Sequence, residues 1–118
     1  MDPIEAANTI VYCADFAEAV SFYRDGLGLR VTFASDWFVE LELAPNTFLS
    51  VADASRTSIE AGDGRGITLS WRVVDLAATR AALLARGIDV GPVTDRFGSP
   101  TADLFDPVGN RIELWSTS

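Results

Sequence analysis

The sequence predicts an α+β fold: two tandem βαβββ modules forming one curved mixed sheet around a concave cavity, with the helices outside. Three observations predict it. Stretches of apolar–polar alternation, the mark of half-buried strands, recur along the chain. Two helix starts, Asp15 and Asp75, lie 60 residues apart, and each follows such a stretch. Each helix then ends at glycine and runs into a further strand, Gly28-Leu29-Arg30-Val31 in one copy and Gly87-Ile88-Asp89-Val90 in the other. Neither copy is large enough to bury its sheet alone, so the two copies should share one core.

The first module covers about residues 7–53. Asn8 to Cys13 alternates, with Thr9, Val11 and Cys13 on one face and Asn8, Ile10 and Tyr12 on the other. Asp15 reads as a helix N-cap, and Glu18 three residues on completes a capping box. Phe16, Ala19, Val20, Tyr23 and Leu27 recur at helical spacing and form the packed face. Gly26 and Gly28 end the helix, and strands follow over Leu29–Ala34, Trp37–Leu43 and Thr47–Ala52, with Pro45-Asn46 turning between the last two. The stretch 54–66 is a Ser-, Gly- and Asp-rich linker without periodicity. The second module covers about 67–117, in one domain of 118 residues. Its pattern predicts a strand over Ile67–Val74, a helix from Asp75 carrying Leu76, Thr79, Leu83 and Leu84 to Gly87, a strand over Ile88–Val93 and a polar loop over Thr94–Pro100. The last strands are Thr101–Phe105 and Arg111–Trp115. Between them Asp106-Pro107-Val108-Gly109-Asn110 is turn chemistry, with Pro107 fixing φ and Gly109 and Asn110 tolerating the left-handed region. Alternation then puts Ile112 and Leu114 on one face and Glu113 on the other.

Composition narrows the function. The net charge of −8 disfavours nucleic acid and anionic membranes, which need a basic patch. No apolar run approaches the ~18 residues of a membrane span, and nothing reads as a signal peptide. A single cysteine, Cys13, allows no internal disulfide and sits in an apolar run as inert core, so a reducing cytoplasm is the expected home. There is no histidine.

The doubled module, the segment Asp15-Phe16-Ala17-Glu18-Ala19-Val20-Ser21-Phe22-Tyr23-Arg24-Asp25-Gly26-Leu27-Gly28 and the ending Asp106-Pro107-Val108-Gly109-Asn110-Arg111-Ile112-Glu113-Leu114 resemble the vicinal oxygen chelate superfamily. That group holds glyoxalase I, extradiol dioxygenases, fosfomycin-inactivating enzymes and bleomycin-resistance proteins. The likeness covers nearly the whole chain and is specific for fold, not for function. In the family's metalloenzymes four equivalent strand positions hold a metal. The resemblance carries these onto Asn8, Ser50, Thr68 and Glu113. One carboxylate, one amide and two hydroxyls make a poor divalent site, and an identical partner chain would bring no histidine either. No metal and no cofactor are therefore expected.

If Asn8 faces the cavity, so do Ile10 and Tyr12, and by the same alternation Phe48, Ser50 and Ala52, Thr68, Ser70 and Arg72, and Arg111, Glu113 and Trp115. Aromatic walls with a few polar groups are how small-molecule pockets are built. The facing of the Trp37–Leu43 strand is open: either Trp37, or Phe38 with Glu40 and Glu42, lines the cavity. In the second case the pocket suits a flat cationic ligand. Each residue has a plainer reading. Trp115 and Tyr12 pad the sheet or an interface equally well, and Glu113 pairs with Arg72 or Arg111.

Two function classes follow. The first is a metal-independent binding protein that sequesters an aromatic small molecule, such as an antibiotic, as the bleomycin-resistance branch does; it implies a homodimer by resemblance. The second is a glyoxalase-like lyase or isomerase with Glu113 as base or partial metal ligand. A housekeeping protein with an unused cavity is a third.

Overall fold

The computed structural model describes residues 1–117. Its packing divides the chain into two compact units, Met1–Gly62 and Asp63–Ser118. Each carries its own four-stranded sheet, so the single joined sheet expected from the repeat becomes two hydrogen-bonded sheets.

In the first unit the elements are β1 (Ala7–Cys13), α1 (Phe16–Ser21), β2 (Arg30–Ala34), β3 (Phe38–Ala44) and β4 (Thr47–Asp53), in sheet order β1-β4-β3-β2. The β1–β4 pair is parallel and the others are antiparallel. The Asp15 carboxylate accepts from the Glu18 N–H at 3.0 Å, the cap its position predicts. The predicted helix does not run on unchanged to Gly26. After Ser21 it widens into a π-helical turn, Phe22–Gly26, where the Leu27 N–H reaches back to the Phe22 carbonyl at 2.8 Å. Tyr23 is fully buried in that turn, and Ala19 and Val20 are buried on the same helical face. Val11, Cys13, Val39, Leu41, Leu49 and Val51 form the apolar sheet face of this unit's core. Cys13 is buried, with its Sγ 3.3 Å from the Ala52 carbonyl.

The second unit repeats the topology. Its elements are β5 (Thr68–Arg72), α2 (Leu76–Ala85), β6 (Thr94–Arg96), β7 (Ser99–Phe105) and β8 (Arg111–Trp115), in sheet order β5-β8-β7-β6. Asp75 caps α2 through the Ala78 N–H. Leu76 and Leu83 are buried, as are Leu69, Leu104, Ile112 and Leu114 on the sheet, while Leu84 is exposed, contrary to the predicted helix face. Full burial of each such leucine contributes on the order of 1.5–3 kcal/mol.

Two expectations in this unit are corrected. Ile88–Val93 is not a strand, because the groups a ladder needs are taken or missing. The Arg80 guanidinium takes a strand partner's place: it donates to the Gly91 and Val90 carbonyls at 2.7 and 3.4 Å, Pro92 has no N–H to give, and the Gly91 N–H alone reaches β7, at the Asp103 carbonyl. The strand forms later, where a loop was expected, as the β6–β7 hairpin with Arg96 opposite Ser99.

The Asp106–Asn110 turn is held by one carboxylate. Asp106 Oδ1 accepts from the N–H groups of Val108, Gly109 and Asn110 at 3.0, 2.9 and 2.8 Å, and Oδ2 accepts from Asn110 Nδ2 at 2.8 Å. Only Gly109 has a positive φ, +104°. Asn110 serves through its side chain rather than through the left-handed backbone expected of it. A Cβ at Gly109 would lie 2.6 Å from the Asp63 carbonyl oxygen, so this turn packs closely on the start of the unit. No helix among the described residues is long and apolar enough to cross a membrane.

Candidate functional site

In each unit the sheet face opposite the apolar core carries the polar candidates, and strand register fixes which of them meet. In the first unit Ser50 on β4 lies opposite Ile10 on β1 and Glu40 on β3. Phe48 lies opposite Asn8 and Glu42, and Ala52 opposite Tyr12 and Phe38. The open question about β3 is thereby answered: Val39 and Leu41 are core, and Phe38, Glu40 and Glu42 share the face of Asn8, Tyr12, Phe48 and Ser50. These groups satisfy one another locally. Ser50, wholly buried, donates to Asn8 Oδ1 at 2.9 Å. Thr32 donates to Glu40 at 2.7 Å, and Glu42 pairs with Arg30 at 3.1 Å. Phe38 is flanked by the rings of Phe33 and Trp37, at 6.4 and 5.5 Å.

In the second unit Glu113 on β8 lies opposite Ser70 on β5 and Asp103 on β7. Two carboxylates directly across from each other on adjacent strands repel. Arg96, at the end of β6, resolves this. Its Nη1 lies 2.6 Å from Glu113 Oε2 and 3.2 Å from Asp103 Oδ1, and its Nη2 lies 2.9 Å from Asp103 Oδ2. Ser70 donates to Glu113 Oε1 at 2.7 Å. The Ser70 hydrogen bond first, and then Arg96, hold the Glu113 carboxyl below the usual carboxylate range against the opposing effect of burial. Asp103 and Glu113 in turn push the Arg96 guanidinium further up.

The remaining second-unit candidates form two pairs. Arg111 donates from Nε to Thr68 Oγ1 at 3.1 Å, so Thr68 meets Arg111 and not Glu113. Arg72 lies over the Trp115 ring, 5.8 Å from its centroid.

A cavity of about 260 Å³ opens on this face. Glu113, Ser70 and Arg96 line it together with Ser99 and Thr101, and Phe97 and Trp115 are its aromatic lining. Of the residues singled out from the sequence, Ser70, Glu113 and Trp115 line it. Asn8, Tyr12, Phe38, Glu40, Phe48 and Ser50 belong to the first unit's face, and Thr68, Arg72 and Arg111 flank the cavity on its own sheet. Arg96 and Phe97 were missed because 94–100 read as a loop. Asp103 was within reach: counting back from the turn puts Phe105 opposite Arg111 and hence Asp103 opposite Glu113.

The four positions that hold metal in the family's metalloenzymes do not fit a divalent ion here. In the first unit Asn8 and Ser50 are neutral and bonded to each other. In the second, Thr68 bonds an arginine, and Glu113 has a guanidinium against one oxygen and a hydroxyl against the other. A cation already sits where Glu113 would have to meet a metal. Among the described residues no three His, Cys, Asp or Glu side chains group as a metal site.

Comparison with known proteins gives the fold a family. A model of the Glyoxalase/Bleomycin resistance protein/Dioxygenase superfamily matches residues 5–114. Among solved structures, a glyoxalase/bleomycin resistance protein from Catenulispora acidiphila superposes with a TM-score of 0.77 and 22% identity, over 96% of this chain and 98% of that one. Lactoylglutathione lyase from Agrobacterium tumefaciens gives 0.75 and 22%, over 98% and 96%. TnmS3, an antibiotic binding protein from Streptomyces sp. CB03234, gives 0.81 and 24%, over 100% and 99%. No curated protein matches the chain in sequence.

Proposed function

Because the chain belongs to the glyoxalase/bleomycin resistance protein/dioxygenase superfamily, we propose that it is a metal-independent small-molecule binding protein that sequesters an aromatic ligand, such as an antibiotic or metabolite, in the second unit's cavity. The single observation that carries this reading is the state of Glu113. Chemistry in the superfamily's metalloenzymes would call on this carboxylate, and here both its oxygens are engaged, one by Arg96 and one by Ser70. A carboxylate held ionised by the Ser70 hydroxyl and the Arg96 guanidinium is a weak base, since its affinity for a proton has been lowered. What remains is a cavity with two aromatic side chains and a satisfied polar lining, which is binding architecture. The structural neighbours include both a lyase and an antibiotic binding protein, so the fold does not choose between the classes and the site must. A homodimer in the cytoplasm accompanies this reading as part of the proposal.

The test is calorimetric titration with a panel of aromatic antibiotics in the presence of a chelator, with each ligand recovered and chromatographed. Saturable binding with the ligand returned intact is expected, and Glu113→Gln should leave the ligand equally intact. Chemical alteration of a ligand by the wild type, lost in that variant, would overturn the binding reading in favour of a Glu113-dependent enzyme.

A further inference from the structure

Phe97 is placed at a cost that the fold does not explain. Arg96 pairs with Ser99, so Phe97 and Gly98 are the two residues of a tight hairpin loop, and both have positive φ, +54° and +82°. That is the pattern of a type I′ turn, whose first position favours Asn, Asp or Gly. A bulky aromatic is strained there. The usual compensation would be burial, yet Phe97 is fully exposed, at 102%. A residue that is both strained and unburied contributes nothing to folding that Asn would not contribute better.

Its position is nonetheless held firmly. The Asp95 carboxylate accepts from the Gly98 N–H at 3.1 Å, closing the loop from one side. Arg96, its immediate neighbour, is tied to β7 and β8 by its bonds to Asp103 and Glu113. The Phe97 ring is thereby presented to the cavity that Trp115 also lines.

We propose that Phe97 and Trp115 are the paired aromatic contacts for a flat ligand of about two fused rings carrying an anionic oxygen edge, a carboxylate or phenolate, which Arg96 receives, with Arg72 beside Trp115 at the cavity's flank. This rests on the binding reading above and assigns the ligand its class. Size follows from volume: a cavity of ~150 Å³ holds benzene, and about 260 Å³ accommodates roughly one ring more. Charge follows from the donors. The bonds of Arg96 engage Nη1 twice and Nη2 once, leaving Nε–H and one Nη2–H directed to no acceptor among the described residues. Arg72 lies on Trp115 and forms no ion pair among the described residues. Glu113, the one carboxylate lining the cavity, already has a guanidinium on one oxygen and a hydroxyl on the other, so a cationic ligand would find no unspent partner, whereas an anionic oxygen finds the undirected N–H groups of Arg96.

The experiment compares 2-naphthoate with 1-naphthylmethylammonium, which share a ring system and differ in charge, by isothermal calorimetry on the wild type, Phe97→Asn and Phe97→Leu. A melting curve of each protein accompanies it. The wild type should bind 2-naphthoate at least tenfold more tightly than the ammonium. F97N should weaken 2-naphthoate about tenfold or more while raising the melting temperature, because Asn is at ease where Phe is strained, and F97L should fall between in affinity. Unchanged affinity in F97N, or a lowered melting temperature, would show the residue to be structural and overturn the assignment while leaving the binding reading standing. Tighter binding of the ammonium would overturn the ligand class. If neither probe binds the wild type, the two-ring anionic ligand class is overturned, while the binding reading stands or falls with the antibiotic panel.

Discussion

The two units have the same topology and opposite electrostatic solutions at the same place. At the centre of the first sheet the three neighbours are Ile10, Ser50 and Glu40; at the centre of the second they are Ser70, Glu113 and Asp103. The one carboxylate at the first centre, Glu40, has a hydroxyl partner, which Thr32 supplies. Two adjacent carboxylates on the second face need a cation, and Arg96 supplies that. At the first centre Ser50 is wholly buried, whereas Arg96 and Glu113 keep 32% and 19% of their side chains in contact with solvent beside a cavity. A repeated backbone therefore fixes where a polar group stands, and the charge count of its neighbours decides whether the place is filled or left open to a ligand.

The comparison breaks most sharply if the second unit's charge is moved into the first. Ser50→Glu would place a carboxylate beside Glu40 in a site with no cation and no room, at a cost of about 4 kcal/mol in urea denaturation. Adding Thr32→Arg, which copies the role of Arg96 from the corresponding edge strand, should recover part of that loss. A double variant no better than the sum of its parts would mean that the two units are not interchangeable at this position.

The turns before the last strand of each unit differ in the same way. The first unit uses Pro45-Asn46, with Asn46 at φ +56°, and needs little else. The second uses a longer turn gathered onto the buried Asp106 carboxylate. Asp106→Ala leaves three backbone N–H groups without that acceptor and should cost about 3 kcal/mol in chemical denaturation. Asp106→Asn should cost roughly half as much: it keeps an oxygen for the backbone and sets two amide donors against each other at Asn110.

This contrast also explains what was legible in the sequence. The caps at Asp15 and Asp75, the Asp106–Asn110 turn and the alternation around Glu113 are signals carried by neighbouring residues, and the structure has each of them. The face of β3 was ambiguous because Trp37 and Phe38 are equally apolar; packing of Val39 and Leu41 decided it. Gly91-Pro92 looked like the end of a strand, although the Arg80 side chain had replaced the ladder there. A strand of three residues, Thr94–Arg96, is too short to show any period, and Phe97 at positive φ carries no turn signature. The residues most important to the site were therefore the least visible, because Arg96 acts through contacts made by folding and Phe97 defies the preference of its own turn.

The smallest change sharpens the comparison furthest. Arg96→Met removes the cation and keeps much of the stem's bulk, leaving Glu113 opposite Asp103 with Ser70 and the more distant Arg111, 3.9 Å from Asp103, as the remaining partners. In the wild type Glu113 titrates below its ordinary value of 4.5, so its contribution to stability is full above that value and is lost as pH falls through the lowered one. In the variant two like charges face each other, which raises the folded-state value of Glu113. Its contribution is then fullest in acid and is lost as pH rises. Melting temperatures between about pH 3 and 7 should thus climb for the wild type and climb less, or fall, for R96M, with the largest gap near neutrality. Parallel curves would mean that Ser70 alone holds Glu113 ionised. Glu113 would then be held by a hydroxyl donor, as Glu40 is on the first face, and Arg96 would be left with positioning Phe97 as its role.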